Sequence, residues 1–100
     1  MNEPRINIPK KQLAEICRRY HVHRMALFGS VLTNNFRPDS DIDVLVLFQP
    51  DAQLGFMALG RMKRELTALF KRSVDLVPQD GLKPVIRESI LSSAEEIYAV

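Results

Sequence analysis

The sequence has almost nothing with which to staple itself: it carries a single cysteine, Cys17. That excludes an internal disulfide and fits a reducing compartment. No run of about 18 apolar residues occurs, so no membrane-spanning helix is expected. The opening MNEPRINIPK has no apolar stretch of the kind a secretory leader needs, so no leader is expected either. Together these absences predict a cytoplasmic protein. Charge of one sign is also scarce. Fourteen Lys and Arg against 12 Asp and Glu leave a net +2, too little to argue for nucleic acid. Arg61, Lys63, Arg64, Lys71 and Arg72 cluster in sequence, but helical spacing spreads them around the axis, and they read as a solvated face. Cysteine and histidine do not group as zinc ligands would. The pair His21 and His23 reads as a polar joint between elements. There is no GxxxxGK[ST] loop and no GxSxG serine, which excludes a P-loop NTPase and an elbow-type serine hydrolase. Neither repeats nor low-complexity segments appear.

What is present is organised around residues 27–48, LFGSVLTNNFRPDSDIDVLVLF. An apolar run stops at Gly29-Ser30. A polar connector follows, and Asp41-Ile42-Asp43 then leads into Val44-Leu45-Val46-Leu47-Phe48. Strands disfavour Asp. Alternate strand residues share a face, so Asp41 and Asp43 project together. Two adjacent carboxylates are costly unless a cation neutralises them, and a divalent metal is the expected neutraliser.

One hundred residues make one domain, 1–100, with residues 1–8 expected to fray. A core this small leaves room for self-association or reliance on a partner. Leu13, Ile16, Cys17 and Tyr20 recur at helical spacing after Pro9, so Cys17 reads as a small buried hydrophobe. Residues 24–28 read as a strand with both faces covered. Gly29 permits unusual backbone angles and close approach, and Ser30 can cap a short helix over 31–33. Residues 34–40 carry turn chemistry, with Pro38-Asp39-Ser40 a turn in its own right. Residues 42–48 form the strongest strand, ended by Pro50. A helix follows over 54–71, with Leu59, Met62, Leu66, Leu69 and Phe70 inward. Residues 73–77 form a third strand, again with a lone carboxylate, Asp75. The last helix covers 82–92, with Leu82, Val85, Ile86 and Ile90 inward and Pro84 in its first turn. Residues 97–100 fit an edge strand or a helix tail. The class is α/β or α+β: a small mixed sheet flanked by helices.

If the second and third strands are neighbours, Asp41, Asp43 and Asp75 converge. Such a cluster suits Mg²⁺, which takes carboxylate oxygens, waters and substrate phosphates, and two ions can serve both the attacking and the leaving oxygen. Gly29-Ser30 would hold the phosphate tail opposite them.

Phe28-Gly29-Ser30, then Arg37-Pro38-Asp39-Ser40-Asp41-Ile42-Asp43-Val44, then Val74-Asp75-Leu76-Val77 resemble the nucleotidyltransferase superfamily that includes DNA polymerase β. The likeness is strongest to the minimal nucleotidyltransferases of prokaryotes and spans about residues 8–100. It implies transfer of a nucleoside monophosphate from a triphosphate, AMP from ATP, with two Mg²⁺. In that reading Asp41, Asp43 and Asp75 are the metal-binding and catalytic residues, with Asp75 also acting on the acceptor hydroxyl. Gly29, Ser30 and Ser40 contact the nucleotide. Members of this size commonly serve as antitoxins, adenylylating a HEPN-type RNase toxin. A silent antitoxin that binds without chemistry, and an enzyme with a small-molecule or nucleic-acid acceptor, are the alternatives. One departure stands out. The family often continues after Gly-Ser with a small residue and Arg-Gly, where this chain has Val31-Leu32-Thr33-Asn34-Asn35. With the three carboxylates intact, activity is expected.

Overall fold

The computed structural model describes residues 6–33, 37 and 40–100. In chain order they form α1 (Lys10–Arg19), β1 (Val22–Phe28), β2 (Ile42–Phe48), α2 (Phe56–Phe70), β3 (Val74–Pro78), α3 (Pro84–Ser93) and β4 (Glu95–Ala99). Short 3-10 turns occupy Gly29–Leu32 and Gln79–Gly81. The strands make one mixed sheet in the order β3-β2-β1-β4. β1 runs antiparallel to β2 and β4, whereas β2 and β3 are parallel. Parallel neighbours cannot be joined by a hairpin, and α2 supplies the crossover. The result is the α+β architecture expected, with the second and third strands adjacent.

The core lies between one face of the sheet and two helices. Leu13, Ile16 and Cys17 of α1 and Met62, Leu66 and Phe70 of α2 pack on Met25, Leu27, Ile42, Val44, Val46 and Val74. The alternation of β2 explains the choice: Ile42, Val44 and Val46 point to the helices, so Asp43 and Leu45 point away. Cys17 is fully enclosed, and burial pushes its thiol up to about 12, the state of a structural rather than a reactive cysteine. Truncating Leu66, fully buried, to alanine should remove about 2–5 kcal/mol of stability. A denaturant titration would read this, and a change within error would place the core elsewhere.

Several boundaries differ from the sequence expectation. β1 begins at Val22, not at residue 24; Val22 is fully buried, and the joint is Tyr20-His21, with His21 in the left-handed conformation (φ 58°). Of the segment expected to fray, Ile6 and Ile8 are partly buried against the core, and residues 1–5 lie outside the described residues. Glu65, expected in solvent, is half-buried and accepts hydrogen bonds from the Tyr20 hydroxyl and the Arg19 guanidinium, which ties α1 to α2. Those bonds, Tyr20's first, hold Glu65 below the usual carboxylate range. α3 forms as expected with Pro84 in its first turn, but no α3 residue is buried, and Val85 is 85% and Ile86 49% exposed. The final segment is an edge strand. Among the described residues no helix is long and apolar enough to cross a membrane.

Candidate active site

β2 is an inner strand, and its first residues are flanked on both sides. Asp43 pairs in register with Phe28 of β1 and with Asp75 of β3. Residues paired across neighbouring strands point to the same face, and strands lie about 4.8 Å apart. Asp43 and Asp75 therefore stand side by side on the face turned away from α1 and α2. Asp41, two residues before Asp43, precedes the strand on that same side. Asp41 and Asp75 are exposed, and Asp43 is half-buried. The three sequence-selected carboxylates are thus brought to one end of the β2–β3 pair.

Their proximity has an electrostatic signature. Asp43 is held above the usual carboxylate range, first by burial and then by the charges of Asp75 and Asp41. An ionised carboxylate here lacks compensation, which a cation would supply. Among the described residues, no three His, Cys, Asp or Glu side chains close into a ready metal cage. Mg²⁺ does not require one, because it is commonly held by one or two carboxylates with waters and substrate phosphates. A set of hard carboxylate oxygens, two of the carboxylates on exposed side chains and all mutually repelling, fits that ion.

β1 ends against this cluster. Gly29 has φ +79°, and a Cβ built on it would overlap Asp43 Oδ2 and come within 3.3 Å of Asp43 Cγ. Glycine is needed for both reasons: L side chains resist that φ, and the carboxylate fills the space a side chain would take. The chain then makes its 3-10 turn. Ser30 lies inside this turn rather than capping it, and its carbonyl accepts hydrogen bonds from Thr33 N–H (3.0 Å) and Thr33 Oγ1 (2.9 Å). Ser40, grouped with Gly29 and Ser30 from the sequence, closes a turn: its hydroxyl accepts from Arg37 N–H (3.1 Å), and its own N–H donates to the Arg37 carbonyl (3.0 Å). Asp39 lies outside the described residues.

Sequence reading missed Arg72. Placed among the solvated cations, it is instead half-buried, and its guanidinium donates to the carbonyls of Arg37 and Ser40 (the latter at 3.1 Å). The contact joins residues more than thirty positions apart, so no local pattern announces it. A cavity of about 550 Å³ lined by Arg19, Tyr20, His21, Asp51 and Arg61, among others, lies at the far end of β2 and does not include the carboxylates.

Comparison with known proteins places this geometry. The family model for the nucleotidyltransferase domain matches residues 10–97. A Methanocaldococcus jannaschii protein, named a candidate protein adenylyltransferase, is 32% identical over 92 residues, covering 92% of this chain and 97% of that protein. A solved structure described as a candidate minimal nucleotidyltransferase superposes with a TM-score of 0.71 at 34% identity, over 85% of each chain. A further structure, the MNT antitoxin bound to a tri-AMPylated HEPN toxin from Shewanella oneidensis, shares the fold with a TM-score of 0.65 at 20% identity, over 91% of this chain and 70% of that one.

Proposed function

Because the chain belongs to the nucleotidyltransferase domain family, we propose that it transfers AMP from ATP to a hydroxyl of a partner protein, an RNase toxin of the HEPN class, and thereby acts as its antitoxin. The observation that carries this reading is the Asp43–Asp75 pair in register, with Asp41 beside it and the Gly29 backbone pressed against the Asp43 carboxylate. The relative from Methanocaldococcus jannaschii is named a candidate protein adenylyltransferase, and the Shewanella oneidensis antitoxin was solved with an AMPylated HEPN toxin. The reading sets the chain in the cytoplasm, where ATP is made and used. Self-association remains part of the proposal only as a consequence of the small core.

In this mechanism Asp41, Asp43 and Asp75 would hold Mg²⁺, as two ions. When bound, the metal supplies charge neutralisation for the triphosphate and for the oxygens that gain charge during transfer. Gly29, Ser30 and Ser40 would contact the triphosphate. The acceptor hydroxyl oxygen bonds to the α-phosphorus, the bond from that phosphorus to the bridging oxygen breaks, and pyrophosphate leaves with the electron pair. Asp75, exposed at the edge of the sheet, orients the hydroxyl and takes its proton.

Incubation with ATP labelled at the α-phosphate, Mg²⁺ and the product of the adjacent reading frame tests the reading. Label should pass to the partner, and Asp41→Asn should abolish the transfer. The stretch Val31-Leu32-Thr33, which stands where the family often has Arg-Gly, favours the silent antitoxin as the second reading. Tight complex formation without label, surviving Asp41→Asn, would establish that second reading instead.

A further inference from the structure

We infer that Arg72 is a positioning residue that sets Asp41 in the site, acting through the turn before β2. This inference rests on the nucleotidyltransferase reading and deepens it. Arg37 and Ser40 are tied to each other by two reciprocal hydrogen bonds, from Ser40 N–H to the Arg37 carbonyl and from Arg37 N–H to Ser40 Oγ. Both carbonyls, those of Arg37 and Ser40, then receive the Arg72 guanidinium. One residue beyond Ser40 stands Asp41. One residue beyond that, Ile42 N–H donates to the Ser73 carbonyl at 2.8 Å.

Asp41 is therefore bracketed: the carbonyl before it is held by the Arg72 side chain, and the amide after it by the backbone of the next residue, Ser73. Asp41 is exposed and lies outside the regular pairing of β2, so these two anchors fix its place on the β3 side. Arg72 is delivered there by Lys71, whose left-handed conformation (φ 58°) ends α2. The same strand entrance supplies Asp75 three residues later. One short segment, 72–75, thus aims two of the three carboxylates, one directly and one through the turn. One guanidinium nitrogen, Arg72 Nη2, donates to both carbonyls; its two N–H bonds are fixed in the guanidinium plane, whereas a lysine ammonium is a compact, freely turning point charge and holds such a pair less rigidly.

Arg72→Ala, Arg72→Lys and Arg72→Gln are compared with the parent protein. Displacing a metal-holding carboxylate by about an ångström costs on the order of a hundredfold in rate. For Arg72→Ala, kcat for AMP transfer should fall to about that extent, and the Mg²⁺ concentration giving half-maximal rate should rise about tenfold. KM for the protein acceptor should stay near the parent value. Added guanidinium ion at low millimolar concentration should restore part of the rate to Arg72→Ala and none to Asp41→Asn. Hydrogen exchange gives a readout that needs no activity: the amides of Ser40 and Ile42 should exchange faster in Arg72→Ala, while those of Val44 and Val46 stay protected. If the parent transfers AMP and Arg72→Ala keeps its kcat and Mg²⁺ dependence, the positioning role is wrong and the proposed function stands. If the parent moves no AMP, the proposed function falls first. In that case, unchanged exchange at Ser40 and Ile42 would remove the clasp as well.

Discussion

Asp43→Asn is expected to abolish AMP transfer while making the ligand-free protein more stable. The two effects have one cause. Asp43 is half-buried next to Asp75 and near Asp41, and burial and both charges raise its pKa. A raised carboxyl pKa means that the ionised form is disfavoured in the folded state relative to the unfolded one. Between the ordinary carboxyl value and the raised one, the native state binds more protons than the unfolded state, so stability falls as pH rises through that window. The amide carries no proton to lose and no charge to repel, so the variant lacks this loss. At neutral pH its melting temperature should lie a few degrees above that of the parent. Transfer should drop by about a thousandfold or more, as expected when a group that anchors charge at the reacting centre is lost. Mg-ATP reverses the order: at a hundredfold excess over Kd a ligand adds about 2.7 kcal/mol of stability, and only the parent should gain it. Thermal melts from acid to neutral pH, with and without Mg-ATP, read all of this. A ligand-free variant less stable than the parent would contradict the electrostatic account, and full transfer activity would remove Asp43 from the chemistry.

Much of this site could be read from the sequence because its elements announce themselves locally. β2 runs from Ile42 to Phe48 as the apolar run around Asp43 predicts, and two carboxylates at its mouth are anomalous in any strand. The adjacency of β2 and β3 was required by the chemistry rather than by any periodicity, and the register sets Asp43 against Asp75. Where the sequence misled, the missing quantity was long-range. The stripe Leu82, Val85, Ile86, Ile90 has the same spacing as the buried stripe of α2, but spacing reveals a face and not what covers it, and Val85 and Ile86 are exposed. His23 looked like part of a polar joint because its own side chain is exposed. Its neighbour Val22, alternating to the other face, is fully buried and starts the strand. Arg72 resembled the solvated cations around it, and only the fold brings it to the carbonyls of Arg37 and Ser40. The sequence singles out the candidate chemical groups by their oddness, whereas a residue such as Arg72 looks ordinary until the chain has closed.

Gly29→Ala should destabilise the protein and disable the site together, and the two contributions can be separated. The backbone at this position has φ +79°, a conformation that costs an L residue about 1–2 kcal/mol. The added methyl would also occupy space taken by Asp43 Oδ2. That oxygen belongs to a side chain set between Phe28 and Asp75 in register, so the carboxylate must swing away from its position against the Gly29–Leu32 turn. The combined loss should be about 2–3 kcal/mol, and for a domain of this size each kcal/mol lowers the melting temperature by about 4–8 °C. Transfer should fall with it, because the displaced group is the central carboxylate. Asp43→Ala removes the obstructing oxygens and leaves only Asp43 Cβ, 3.6 Å from the new methyl and in ordinary contact. In that background Gly29→Ala should cost only the backbone strain. The cycle of Gly29→Ala, Asp43→Ala and the double variant should therefore be non-additive, the double losing less than the sum of the singles. Additive losses would mean that the turn and the carboxylate do not share this space. A coupling of about 1 kcal/mol or more would tie the left-handed glycine at the end of β1 directly to the placement of the carboxylate on which the proposed chemistry depends.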